Sequence, residues 1–226
     1  MEPNNATNSL KYEICIFRTM EELAIIWQEL TAKYNNDNQL ANELWEEIKE
    51  SYTAKKRHYH NLTHLKYMAD HAMKYQNNLS DLDTVLFSIF YHDIVYDATH
   101  KDNEQKSADI AHKRLSQLRV PTDKITKCHA QIVATQNHIL SSDSDTNYLL
   151  DFDLAILGES PNVYQEYTRN IRKEYAIYPG FLYKRGRKKV LQSFLAMDRI
   201  FKTDVFYEGY EQPARDNLKS ELQSLK

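Results

Sequence analysis

The pair His92-Asp93 lies in the apolar run Leu86-Phe87-Ser88-Ile89-Phe90-Tyr91-His92-Asp93-Ile94-Val95-Tyr96, among residues that pack into interiors. An ionised Asp buried alone costs several kcal/mol, so such a carboxylate is neutralised, ion-paired or bound to a metal. The adjacent imidazole favours the metal. At about 100° per residue, Leu82, Val85, Leu86, Ile89 and Asp93 fall on one helical stripe, with His92 at its margin. The same phasing over residues 149–157 sets Asp153 near the centre of the arc formed by Leu149, Leu150, Phe152, Ile156 and Leu157, and Asp151 on the opposite side. Two carboxylates facing one interior repel each other, and a cation offsets that repulsion.

A second source of imidazoles is Arg57-His58-Tyr59-His60-Asn61-Leu62-Thr63-His64. His60 and His64 share a face if one helix contains both, and His64 flanks an apolar stripe beside Met68. His71 lies two turns further along, about 10 Å away by helix rise, too far to join the same ion.

The elements that must position these residues read as helices. With four glycines, five prolines and apolar residues recurring at helical spacing, the chain is expected to be all-α. Met20, Leu23, Trp27 and Leu30 form one stripe, and Leu40, Leu44 and Ile48 another. Asn61 is a natural N-cap for a third helix, the His-Asp helix starts near Asp81, and Asp102 with Gln105 resembles a capping box. Pro121 suits the first turn of the next helix. Further helices are expected over 146–157, 163–178, 180–201 and 213–225, with residues 1–10 frayed and 141–146 a flexible connection. The tyrosine stripe Tyr164, Tyr167, Tyr175 and Tyr178, with Ile171, reads as core packing. No repeat or linker divides the chain, so one domain spans 1–226: a metal box over about 57–158, with helices over about 160–226 completing the bundle.

Net charge is −3, which gives no global argument for nucleic acid or an anionic membrane surface. Cys15 and Cys128 have neither metal-ligand nor redox spacing, and no stretch approaches the roughly 20 apolar residues of a membrane span. A cytoplasmic protein is the expectation.

The ordered set His64, His92-Asp93, Asp153 resembles the HD superfamily of metal-dependent phosphohydrolases, whose pattern is a His, a later His-Asp pair and an Asp on a further helix. Tyr59-His60-Asn61-Leu62-Thr63-His64 is also similar to the Tyr-His-Asn-x-x-His motif of cyclic-nucleotide phosphodiesterases in that superfamily. Asp102-Asn103-Glu104-x-x-Ser107, the segment 151–158 and Ile171-Arg172-x-Glu174-Tyr175 resemble a little-characterised bacterial branch of predicted HD phosphohydrolases. The resemblance implies an HD-type helical bundle, with His64, His92, Asp93 and Asp153 as metal ligands and His60 as proton donor.

Two imidazoles and two carboxylates suit one or two divalent ions: Mn, Fe, Co, Ni or Zn, with Mg where water fills several positions. Asp93 would bridge a second ion. The chemistry expected is hydrolysis of a phosphate ester by metal-activated water, with His60 protonating the departing alkoxide. The substrate is a small phosphate compound, nucleotides being one class. Arg57, Arg172, Arg187 and the run 184–189 are candidates for holding phosphoryl oxygens. Glu104 would orient water or substrate, and His138 either serves a second metal or substrate or is an ordinary helix-end histidine. The alternative function is a catalytically weak HD protein that binds a nucleotide or a partner and signals.

Overall fold

The computed structural model describes residues 4–225, with side-chain surroundings from residue 17 onward. Within them the chain is helical: α1 (Asn4–Ala32), α2 (Asn38–Tyr52), α3 (Leu62–Lys74), α4 (Leu82–Tyr91), α5 (Asn103–Gln117), α6 (Thr122–Ala134), α7 (Ser144–Leu154), α8 (Pro161–Glu174), α9 (Gly180–Leu195) and α10 (Asp204–Ser224), with 3₁₀ turns at Gln76–Asn78 and Ala155–Gly158. Among the described residues there is no strand. The all-α expectation holds.

Helix α4 is the axis of the bundle. Residues 84–91 are all buried, and a helix apolar on every side must be surrounded. Helices α3, α5, α6 and α7 pack on it. From α1, Trp27 meets Phe87, Phe90 and Tyr91 edge-on at centroid distances of 6.1, 5.2 and 6.0 Å. Its indole N–H donates to the Ala41 carbonyl at 2.9 Å, tying α1 to α2.

Several local expectations are corrected. Asn4–Leu10 opens α1 rather than fraying, while residues 1–3 lie outside the described residues. Asp102 makes no cap bond and pairs with Lys106 at 2.9 Å. The start of α5 is held instead by Asn103, whose side chain bonds both the N–H and the carbonyl of Asp97. The segment 141–146 is pinned: the Asn147 side chain bonds both backbone groups of Ser141, and Asp143 caps α7 at Thr146. Buried Asp145 accepts from the N–H groups of Ser80 and Asp81 and from Lys127.

At the C-terminal end, α8 stops at Glu174, and the next turn is held by Arg172, which donates to the carbonyls of Tyr175 and Tyr178. Pro179 follows, and a residue before proline avoids helical backbone. Helix α10 starts nine residues before Pro213, which lies inside it. Its entry is set by buried Asp151, which accepts from Lys202 N, Thr203 N and Thr203 Oγ1 at 2.7, 2.8 and 2.7 Å. Gly158 lets α10 close on the end of α7, because a Cβ there would lie 2.8 Å from Tyr210.

Candidate metal centre and its cleft

His64 stands in the first turn of α3, where the Asn61 side chain accepts from the N–H groups of Thr63 and His64. Because α3 begins at Leu62, His60 belongs to the preceding turn, and the two histidines do not share a helical face. Helix α4 ends at Tyr91 with His92 as its C-cap, so Asp93 sits in the turn beyond rather than on the helical stripe expected for it. Arg57 holds that turn, donating to the carbonyls of Asp93 at 2.5 Å and Ile94 at 2.9 Å. Asp153 comes from the last turn of α7.

These residues converge. His64 Nε2 lies 3.3 Å from His92 Nε2 and 3.2 Å from Asp153 Oδ1. His92 Nε2 lies 3.2 Å from Asp93 Oδ2, and His138 Nε2 lies 2.8 Å from Asp153 Oδ2. One donor atom each of His64, His92 and Asp153 falls within a 4.8 Å group; Asp93 joins that trio through His92 rather than as a full member. Donors around one ion at bonds of about 2.1 Å lie roughly 3.0–3.4 Å apart along adjacent edges, which is the spacing of His64 from His92 and from Asp153. The ring of His92 is oriented by Nδ1, which meets the Ile89 carbonyl at 2.8 Å; an N–H donating there leaves Nε2 to face the cluster. His64 Nδ1 is buried without a partner.

The electrostatics of the cluster call for positive charge. Burial pushes the Asp153 carboxyl up, but His138 and His64 outweigh it and hold it well below the usual range. Burial opposes charging of His92, yet Asp93 and Asp153 beside it raise it to about 9. His64 is lowered, chiefly by burial. Facing imidazoles flanked by carboxylates thus attract a proton when no other cation is present, and the donor set fits a borderline divalent ion.

His60 lies beside the cluster and lines the cleft. Its Nδ1 is 2.7 Å from Glu174 Oε2, and its ring stacks on Tyr96 at 4.1 Å and 28°. Buried Glu174 also accepts from the N–H groups of His58, Tyr59 and His60, and from Tyr96 Oη. Burial would raise the Glu174 carboxyl, but His60 and those N–H groups bring it down to about 2. Burial lowers His60, and the Glu174 bond reverses that to a net rise. No role attached to Glu174 in the sequence reading. The available signal was an acid on the face of Tyr164, Tyr167 and Ile171, the same pattern that singled out Asp93.

Other expected site residues divide. Glu104 lines the cleft, and burial raises its carboxyl. His138 reaches the cluster because its backbone takes a left-handed conformation, φ 50°, ending the turn after α6; such strain collects at functional sites. Arg57 and Arg172 are not brought to the cleft: Arg57 holds the turn after α4, and Arg172 holds the turn after α8. Asp151 does not face outward, because α7 is buried on nearly every side and its periodicity carries no orientation. The tyrosine stripe is also corrected, since Tyr164 is buried but Tyr167, Tyr175 and Tyr178 line the cleft. His71 stays apart, ringed by Phe152, Phe206 and Tyr210.

Neither a family model nor a curated protein nor a solved structure matches the chain. Among the described residues, no helix is long and apolar enough to cross a membrane.

Proposed function

We propose that the protein is a metal-dependent phosphohydrolase of the HD type, cleaving a phosphate ester in the cleft beside His60. The observation that carries this reading is the meeting of His64, His92 and Asp153 within one 4.8 Å group, with Asp93 against His92. These residues would hold one divalent ion, and Asp93 would share a second. An ion there supplies Lewis acidity toward a phosphoryl oxygen and acidifies water for attack at phosphorus.

The chain's own residues account for the rest. Glu174 keeps the His60 Nδ1 proton engaged, so Nε2 is the nitrogen left to face the cleft, and Tyr96 fixes the plane of the ring. A charged His60 hands its Nε2 proton to the departing alkoxide, work suited to an imidazole with a pKa near or above neutrality. Arg57 keeps the Asp93 turn in register with His60 by donating to carbonyls of both segments. An intact proton donor beside the ligand set favours catalysis over a pure binding module, which gains little from His60.

The test is elemental analysis of the purified protein and of the double variant His92→Ala/Asp93→Ala, each assayed on chromogenic phosphate mono- and diesters with added Mn. Metal and turnover in the parent, both lost in the variant, are the expected result. Metal without turnover moves the function to binding, and no metal after Mn addition removes the mechanism.

A further inference from the structure

The cleft that opens from His60 and Asp153 has a volume of about 530 Å³ and two unlike walls. On the α9 side, Leu182, Gly186, Val190 and Phe194 follow one another at four-residue steps and all line it. Leu182 and Val190 are 44% and 43% exposed, so this apolar face is not covered by the protein itself. Between them Gly186 carries no side chain, so the face dips into a notch open to solvent, where a Cβ would meet nothing within 4 Å. Tyr175 and Tyr178, paired at 6.1 Å and 29°, continue the same wall. It is a flat surface for a ring.

The charges of the cleft set a second limit. Among the described residues that line it, Arg187 is the single Lys or Arg. Its Nε and Nη2 donate to the two Glu221 carboxylate oxygens at 2.8 and 2.9 Å, and Nη1 faces Tyr167 Oη at 3.4 Å. That guanidinium is already paired with a carboxylate. Asp97 and Glu104 line the cleft in addition to the carboxylates of the metal cluster. A polyphosphate needs several cationic donors along its length; beyond His60 and His138 at the cluster, and His100, the titratable side chains lining the cleft include the carboxylates Asp97 and Glu104 rather than free cations. His60 and His138 gather at the cluster end of the cleft, and with an ion there they suit one phosphate.

We infer that the cleft takes a phosphoester with a single phosphate and a flat uncharged ring, the ring lying in the notch at Gly186 and the phosphate at the histidine cluster, and that it rejects polyphosphates. The inference rests on the phosphohydrolase reading for the fate of the phosphate, but the ring site is measurable without turnover.

The experiment compares naphthyl phosphate, a nucleoside monophosphate, glycerol phosphate and a nucleoside triphosphate on the Mn-loaded full chain, by calorimetric binding and by hydrolysis. The two ring-bearing monophosphates should bind at least about tenfold more tightly than glycerol phosphate and the triphosphate. In Gly186→Phe the notch is filled without removing a contact, and a helical Gly is replaced by a better helix former. That variant should lose about tenfold of the naphthyl-over-glycerol preference, read as the ratio of kcat/KM or of Kd. Ring binding that falls in Gly186→Phe, with no hydrolysis of any ester, would sustain the inference and overturn the hydrolase reading. Equal binding of all four, preference for the triphosphate, or an unchanged ratio in Gly186→Phe would overturn the inference and leave the hydrolase reading to its own assay.

Discussion

The entry to α10 and the floor of the cleft are built from the same residue type with opposite outcomes. Asp151 and Asp153 stand two positions apart on α7. Asp151 is enclosed and satisfied by backbone N–H groups of residues 202 and 203. Asp153 receives imidazoles only, from His64 and His138. The same division runs through the molecule. Asp145 and Glu211 gather backbone N–H groups at 80–81 and 200–201, whereas Asp93 is left with His92. A carboxylate whose partners are N–H groups is a fastener, since those donors cannot leave. One whose partners are imidazoles can exchange a proton for a metal. Glu174 combines the two roles, fastening residues 58–60 by their N–H groups while holding His60.

The comparison is broken most sharply by exchanging the two α7 aspartates. Asp153→Ala should remove bound metal and all turnover, as read by elemental analysis and the ester assay. Asp151→Ala should keep metal where the protein is folded, but lose roughly 1–3 kcal/mol of stability in urea titrations, because it leaves two half-buried N–H groups without their carboxylate. Metal loss in Asp151→Ala with stability intact would abolish the distinction between fastener and ligand.

Next in size is His60→Ala. Turnover should fall by about 10²–10⁴, the range for a lost general acid, with metal content retained. Loss of metal alongside activity would make His60 a ligand.

The smallest effect sharpens the case of Glu174. Its folded carboxyl lies at about 2, below the ordinary 4.5, so its stabilisation is fully present above pH 4.5 and fades as pH falls towards 2. The stability gap between the protein and Glu174→Gln, read from urea titrations, should be fully open above pH 4.5, on the order of 3 kcal/mol, and should shrink by pH 3. A gap independent of pH would mean the charge of Glu174 contributes nothing.

Much of the candidate metal centre was legible because its signal is local. A His-Asp pair inside an apolar run, and acids at positions where leucines recur, announce a burial problem without any neighbour being known. The cap at Asn61 was readable for the same reason: the capping oxygen and its N–H partners lie within three residues. Asp151 was misread because periodicity orients a side chain only on a helix with a wet face, and α7 has almost none. Arg57 and Arg172 were misread because a guanidinium suits a phosphate and a run of carbonyls equally well, and residue type does not choose between them.

By itself, then, the sequence determined a helical protein with two imidazoles and two carboxylates driven toward one interior, since helix spacing and the cost of burying charge act along a short stretch of chain. Only the tertiary structure decided which groups meet. Glu174 holds a histidine 114 residues away, and α9 lays its apolar face along the cleft. Such meetings depend on how whole helices pack, and no periodicity within a helix records them.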